Sequence, residues 1–451
     1  MIGVLLANAL FFAIGTGLLP LLRIAPERAT LVERLPLAYP VGVAATGIVA
    51  AHLALIDVPL GLVELVVLAA VVLFLGLRRV RGASASNSLL LAEPRWSRLA
   101  GGAALVVSLV LLAHAWATYE IRPLLEWDGW AIWGTRSRAL YEFGGATGPV
   151  FTSDVYLPLQ HPLLLPSLDA IDFRAMGTYD PTLVHVQLAL LAFGFLLGFV
   201  SLLRDRVPLV LVGTSALAVL SAEPVLKQLS TGLADVPLAF LVALGLVGCG
   251  RWLATGERWP LVAGTLFLGA ATLAKSEGLF FALAALLALA PFAWGRRREL
   301  ALAAAAVIAI VLPWRLFVSL HDLPLVEYSF RDAVSPVYLA DHSDRVSPAV
   351  RGLGSELFSG DWGLLVPLFM IAVVAVVLAR HYALAGFAVL WTALAFGGLV
   401  LVYWISTIPI DLALVWSGDR TIVTVVVGAA ALAPLLAGAA WPSRGGASET
   451  R

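Results

Sequence analysis

The chain has 451 residues, of which 61% are hydrophobic and 13% charged, and its mean hydropathy is +0.94. Soluble domains contain about 45–50% apolar and about 25% charged residues, so this composition excludes a soluble enzyme held by one membrane anchor. The 29 basic and 29 acidic residues cancel, which leaves no overall positive charge for binding nucleic acid. The single cysteine, Cys249, excludes internal disulfides and cysteine-based metal or redox motifs.

Apolar runs follow one another along the chain, each close to the roughly 20 residues that a spanning helix needs. They cover residues 3–22, 40–56, 60–77, 99–118, 182–203, 208–225, 236–253, 259–274, 277–294, 300–319, 363–380, 383–404 and 420–440. The first run has neither a basic segment before it nor a clear cleavage site after it, so we expect a retained helix. The pattern predicts an all-α polytopic membrane protein with about 13 transmembrane helices.

Arginine collects in short connections between these runs, which the positive-inside rule assigns to the cytoplasm. The connections contain Arg78 to Arg98, Arg204 and Arg206, Arg251 and Arg258, and Arg296 to Arg298. Alternation then places residues 119–180, 226–235, 320–362 and 405–419 outside, and residues 442–451 inside as a cytoplasmic tail. Residues 161–173 are apolar but too short to span, and we interpret them as a juxtamembrane or shallow re-entrant helix in the first external loop.

The segment EWDGWAIWGTRSRALYEF at 126–143 begins that loop. Its tryptophans are typical of a membrane interface. Glu126 and Asp128 are followed at helical spacing by Arg136 and Arg138, and an interfacial carboxylate can act as a general base toward a hydroxyl arriving from water. The structural alternative is an aromatic anchor with solvated charges.

Further clusters lie on the same predicted side of the membrane. They are QHPLLLP at 160–166 with His161, STGLADVP at 230–237 with Asp235, AKSEG at 274–278 with Lys275 and Glu277, and helix ends that carry Arg315 and Arg420. Each cluster has a structural alternative, namely an interfacial polar residue for His161, helix capping for the aspartate, a hairpin turn for AKSEG and snorkelling for the arginines. Cations at this interface can equally neutralise a lipid phosphate. The histidine spacing does not indicate a zinc site, and we assign no metal ligands.

Taken in order, these motifs resemble those of integral-membrane glycosyltransferases of the GT-C superfamily. More narrowly, the chain is similar to bacterial relatives of the dolichyl-phosphate-mannose protein mannosyltransferases and the lipid A aminoarabinose transferases. The features that carry the resemblance are an acid in the first external loop, H-P-x-L, A-D-x-P, L-x-K-x-E-G, a P-W pair near a helix end and DLALVWSGDR at 411–420. They extend over roughly residues 97–420.

The resemblance implies an inverting glycosyltransferase that moves a sugar from a polyprenyl-phosphate donor to an extracytoplasmic glycan, lipid or protein acceptor at the bacterial inner membrane. The family's loop carboxylate falls on Asp128, with Glu126 as a rival base, and its second external acid falls on Asp235. The candidates for binding substrate or phosphate are Arg136, Arg138, His161, Lys275, Glu277, Arg315 and Arg420. No cofactor is assigned with certainty, and a divalent cation such as Mg²⁺ or Mn²⁺ stays open.

We therefore expect a GT-C-like catalytic module at 97–441, with external loops at 119–180 and 320–362. A three-helix extension at 1–80 precedes the helix that is usually first in the family, and its role is unexplained. The alternative function is a secondary transporter or flippase for a lipid-linked or small solute. Such a protein also needs charges in a wet cavity, but near the membrane midplane and in paired repeats.

Overall fold

The computed structural model describes residues 2–82, 93–119, 122–153, 159–323, 328 and 330–441. Within these ranges the regular structure is helical, apart from the isolated bridges Glu27–Arg81 and Tyr328–Ser406. The prediction of an all-α, multi-pass membrane protein is confirmed. The tail predicted at 442–451 lies outside the described residues.

The N-terminal helices are α1 (Ile2–Leu21), α2 (Arg28–Ala54), α3 (Leu62–Arg79) and α4 (Arg95–Tyr119). Helices α1 and α2 cross at backbone contact, because a Cβ on Gly15 would lie 1.7 Å from the carbonyl oxygen of Ala38. Helix α1 also packs on α3. The first three helices are therefore one tightly packed unit.

The predicted first external loop contains a π-helix at Asp128–Gly134 and the helices α5 (Thr135–Phe143), α6 (Pro149–Thr152) and α7 (Leu164–Met176). Residues 161–173, interpreted above as a juxtamembrane or shallow re-entrant helix, lie largely in α7, and their depth in the membrane stays a prediction. Every residue of α7 from Leu164 to Phe173 is buried, and the helix contacts α1, α2 and α5. The N-terminal helices thus supply the cover that α7 needs.

The central helices are α8 (Thr182–Leu203), α9 (Leu209–Ser221), α10 (Glu223–Leu229), α11 (Asp235–Thr255), α12 (Arg258–Ala274) and α13 (Glu277–Leu289). Helix α11 is the core of the bundle, since it is buried along its whole apolar length and contacts α8, α12, α13, α19 and α21. It ends at Gly256, whose φ of +75° is a left-handed conformation that glycine adopts at low cost.

The C-terminal helices are α14 (Arg297–Leu320), α15 (Phe330–Ala333), α16 (Pro336–Asp341), α17 (Val346–Leu357), α18 (Leu365–Leu378), α19 (Tyr382–Trp404), α20 (Ile410–Thr421) and α21 (Val423–Ala440). Short 3₁₀ turns occur at Trp294–Arg296, Ser343–Arg345 and Gly360–Trp362. Helix α17 packs on α19 and α20 in the predicted external loop.

In the described part of the chain, eight helices are long and apolar enough to cross a membrane, or ten when each of two bent pairs counts as one span. The bends are 61° between α9 and α10 and 99° between the segment Ser343–Trp362 and α18. Each of the thirteen predicted runs coincides largely with a helix, but α3, α12 and α13 fall outside the eight to ten. Thirteen spans therefore stay a prediction.

Candidate functional site

A cavity of about 660 Å³ lies where several helix ends meet. Its walls come from the π-helix and the residues before it, the start of α11, the corner between α12 and α13, the end of α19, and α20. The residues singled out from the sequence that line it are Glu126, Asp128, His161, Asp235, Lys275, Glu277 and Arg420. These groups come from five separate stretches of the chain, so the cavity is a product of the tertiary fold.

Asp128 and Arg420 form an ion pair in this cavity. Asp128 is the first residue of the π-helix, and Arg420 lies in the last turn of α20. The guanidinium Nη1 of Arg420 donates to Asp128 Oδ2 at 2.6 Å. The side chain of Arg420 is 23% exposed, and that of Asp128 is 28% exposed. Both groups are therefore accessible from the cavity while bound to one another.

Lys275 forms a second, more buried charge cluster with Asp235 and Glu277. Its Nζ lies 2.7 Å from Asp235 Oδ1 and 3.3 Å from Glu277 Oε1. Each acid begins a helix, α11 or α13, where the helix dipole favours negative charge. Burial acts to lower the pKa of the Lys275 ammonium, but the two carboxylates outweigh burial and raise that pKa above its ordinary value. Lys275 is therefore a permanent cation at the cavity wall.

His161 is an uncharged residue of the cavity lining and lies near both clusters. Its ring stacks on Trp133 with centroids 5.4 Å apart, and its Nδ1 lies 3.2 Å from the hydroxyl of Ser276. Burial lowers the pKa of His161 well below its ordinary value, and the nearby cations Lys275 and Arg136 add to the effect. A neutral imidazole can accept or donate one hydrogen bond to a ligand without carrying charge.

The structure does not bring Arg136, Arg138 or Arg315 to the lining of the cavity. Arg136 is buried behind the wall, where it donates to the carbonyl oxygen of His161 at 2.6 Å. Arg138 is exposed on α5, 3.8 Å from Glu142. Arg315 lies on α14 and interacts electrostatically with Tyr328, which does line the cavity. These three arginines are therefore not in the cavity lining, and a role for them in binding phosphate stays a prediction.

Sequence reasoning missed a hydroxyl cluster opposite the carboxylates. Tyr403 at the end of α19 lies 2.8 Å from Ser417 Oγ and 3.1 Å from Thr421 Oγ1, and all three residues line the cavity. Ser417 and Thr421 are four positions apart on α20, so they share a helix face. The spacing of Ser417 and Thr421, beside Arg420, is the feature of the sequence that indicates this hydroxyl cluster.

Three of the four described acidic residues that line the cavity already have a cationic partner. Asp128 is bound by a guanidinium, and Asp235 and Glu277 by one ammonium. Within the described ranges, no group of three or more histidine, cysteine or acidic side chains is placed to hold a metal ion. Because these three carboxylates already face cations, we derive no step through a metal ion.

Fold and cavity together define an all-helical, polytopic membrane protein with a charged cavity of about 660 Å³ at one end of its helix bundle. Comparison of the chain with known protein families, with curated proteins and with solved structures finds no match. Function must therefore be argued from the cavity itself.

Proposed function

We propose that this protein is an inverting glycosyltransferase that moves a sugar from a polyprenyl-phosphate donor to a glycan, lipid or protein acceptor outside the cytoplasm. The observation that carries the proposal is the meeting of Asp128, Asp235, Lys275 and Arg420 in one cavity at helix ends. The cavity supplies carboxylates for a hydroxyl group and cations for a phosphate within one enclosed space. The resemblance of the motifs to GT-C enzymes supports the same chemistry.

The proposed location favours a lipid-linked donor. Nucleotide sugars are not supplied outside the cytoplasm, so a transferase there needs a sugar that crosses the membrane on a lipid. Trp127 and Trp416 line the cavity and are 59% and 58% exposed. Aromatic side chains at a membrane interface suit contact with both a lipid chain and a sugar ring.

Lys275 and Arg420 are the proposed phosphate ligands. Both line the cavity, and charge-assisted hydrogen bonds from such groups to phosphate are strong. Arg420 binds Asp128 in the structure. When a donor phosphate binds Arg420, it competes with Asp128 for the guanidinium and frees a carboxylate oxygen. Donor binding would thereby prepare the base for the acceptor.

The proposed reaction is a direct displacement at the anomeric carbon. The acceptor oxygen forms a bond to that carbon from the face opposite the phosphate, and the bond between carbon and phosphate oxygen breaks. The electron pair leaves with the polyprenyl phosphate, whose charge Lys275 and Arg420 stabilise. The hydroxyl proton passes to Asp128, which later returns it to water. The glycosidic product has inverted configuration.

One observation favours the transporter alternative. Asp169 and Asp172 are buried carboxyl groups on α7, away from the cavity lining, and buried ionisable groups in membrane proteins are frequently part of ion pathways. A transporter would use such groups to couple ions to a solute. The cavity chemistry described above gives these two residues no part in sugar transfer.

The test is transfer from a labelled polyprenyl-phosphate sugar by membranes that contain Asp128→Asn or Glu126→Gln. Loss of a general base typically costs about 10²–10⁴ in rate, so we expect Asp128→Asn to lose at least about 100-fold. Glu126 lines the same cavity and serves as the matched carboxylate control, which we expect to stay within about fivefold of wild type. Full transfer by Asp128→Asn would contradict its role as base.

A further inference from the structure

A second cavity, of about 500 Å³, lies at the other end of the same helices. The first cavity is lined by the start of α11, the end of α19 and the end of α20, which leads into α21. The second is lined by the end of α11, the start of α19 and the end of α21. The 21 residues of α11 rise about 30 Å, which is the thickness of a bilayer core. The two cavities therefore lie about one membrane thickness apart.

The second cavity is basic. Among the described residues its lining contains Arg206, Arg251 and Arg380 together with His381, and no acidic residue. Arg251 is 1% exposed and bound to Asp205 at 2.5 Å and Glu257 at 3.1 Å, and Arg206 pairs with Glu257 at 2.5 Å. These bonds fix two of the cations in place.

Arg380 and His381 leave unused binding capacity in this cavity. They lie in the short connection between α18 and α19, are exposed, and form no ion pair within the part of the chain that the structure describes. The third donor nitrogen of Arg251, its Nε, is buried and has no hydrogen-bond partner among the described residues. An anionic ligand in the cavity would therefore contact Arg380 and His381 first.

Most of the remaining lining is apolar and comes from the ends of the helices. It includes Leu253 of α11, Leu384 of α19, and Leu435 and Ala439 of α21. A basic rim beside an apolar wall is the shape expected for a phosphate headgroup with its acyl chains. The arginine-rich connections at this end are the ones that the positive-inside rule assigns to the cytoplasm, where the leaflet carries anionic lipid.

We propose that this cavity binds a phosphate ester, and specifically the headgroup phosphate of an anionic phospholipid of the cytoplasmic leaflet. Arg380 and His381 contact the phosphate, the fixed guanidinium groups of Arg206 and Arg251 add positive charge beside it, and the ends of α19 and α21 hold the start of the acyl chains. The site is independent of the proposed transfer reaction.

The experiment uses the purified full-length protein in nanodiscs of phosphatidylcholine, with or without phosphatidylglycerol. Native mass spectrometry counts retained phosphatidylglycerol for wild type and for Arg380→Gln. The matched control is Arg298→Gln, an exposed arginine at the same end of the bundle that does not line the cavity. One lost charge-assisted bond to phosphate corresponds to about tenfold in affinity, so we expect a loss of about tenfold for Arg380→Gln and none for Arg298→Gln.

In a parallel experiment, soluble glycerol phosphate is added to the same nanodiscs as a competitor. We expect it to displace little phosphatidylglycerol, because it lacks the acyl chains that the apolar wall holds. Displacement at equal concentration would support the phosphate site but identify a soluble phosphate ester as its ligand. Equal retention of phosphatidylglycerol by wild type and Arg380→Gln, or no preference over phosphatidylcholine, would overturn the proposal.

Discussion

Asp169 and Asp172 show how costly a charge is inside this protein. Both lie on one face of α7, and Asp169 accepts a hydrogen bond of 2.8 Å from Ser137. Burial raises the pKa of Asp169 to about 7, although the bond from Ser137 acts in the opposite direction. Burial, together with the neighbouring Asp169, raises the pKa of Asp172 well above its ordinary value. The folded protein therefore holds protons here that an unfolded chain releases in mild acid.

This difference makes folding stability depend on pH. The folded pKa of Asp169 lies above its ordinary 3.8, so its contribution is complete below that pH and is lost as pH rises through about 7. We expect the unfolding temperature of detergent-purified wild type to fall over that interval, and that of Asp169→Asn to fall less. Glu142→Gln, on the exposed face of α5, is the control. Equal pH slopes for wild type and Asp169→Asn would count against this assignment.

At the level of single side chains, sequence predicts the type of group at a helix end but not its partner. Asp235 at a helix start and Lys275 between two apolar runs are recognisable as polar groups that need an interface or a wet cavity. Their ion pair joins residues 40 positions apart, and Asp128 and Arg420 are 292 positions apart. The local spacing of residues in the sequence does not predict these ion pairs, because the pairs form only when the helices pack together.

The π-helix is the element that positions Asp128. A Cβ on Gly129 would lie 2.1 Å from the carbonyl oxygen of Thr231, in the turn that leads into α11. The first turn of the π-helix therefore rests directly on the backbone beside Asp235. Such π-helices are rare and occur frequently at functional sites.

Gly129→Ala tests this contact. The added methyl group must push the π-helix away from the turn, because a backbone oxygen cannot rotate aside as a side chain would. We expect transfer to fall at least about tenfold, since small misplacements of catalytic groups have large effects. Gly148→Ala is the matched control, because a Cβ there meets nothing within 4 Å. Normal transfer by a folded Gly129→Ala variant would show that the close contact does not position Asp128.

The sequence predicts the positions of the helices better than it predicts how deeply a helix is buried or where its backbone bends. The apolar runs identify helices because continuous apolar residues leave few other structures in a membrane. The burial of α7 was not predictable from its thirteen residues, because the cover comes from α1 and α2. The π-helix and the bend after α9 depend on local backbone bonding that hydropathy does not record.

The orientation of the whole molecule is a separate prediction. Lys227 contacts Asp419, next to Arg420, and so marks the end of the bundle that holds the first cavity. Arg258 begins α12, beyond the opposite end of α11. The only native cysteine, Cys249, is buried and gives a low labelling background.

We expect an impermeant maleimide to label Lys227→Cys in intact cells and Arg258→Cys only after permeabilisation. The reason is the concentration of arginine in the connections at the α12 end, which favours the cytoplasm. The side chains of Lys227 and Arg258 are both exposed, so burial would not explain a failure of either cysteine to react with the maleimide. Labelling in the reverse order would place the first cavity on the cytoplasmic side and contradict an extracytoplasmic transferase.

The fate of a labelled donor in sealed proteoliposomes separates transfer from transport most directly. Purified protein is reconstituted with a polyprenyl-phosphate sugar that carries label in both its lipid and its sugar, together with a membrane extract as the source of acceptor. We predict that free polyprenyl phosphate appears in equal amount to the sugar gained by the acceptor. Donor that crosses between leaflets with its bond to the sugar intact, and no polyprenyl phosphate released, would contradict the transferase and favour a flippase.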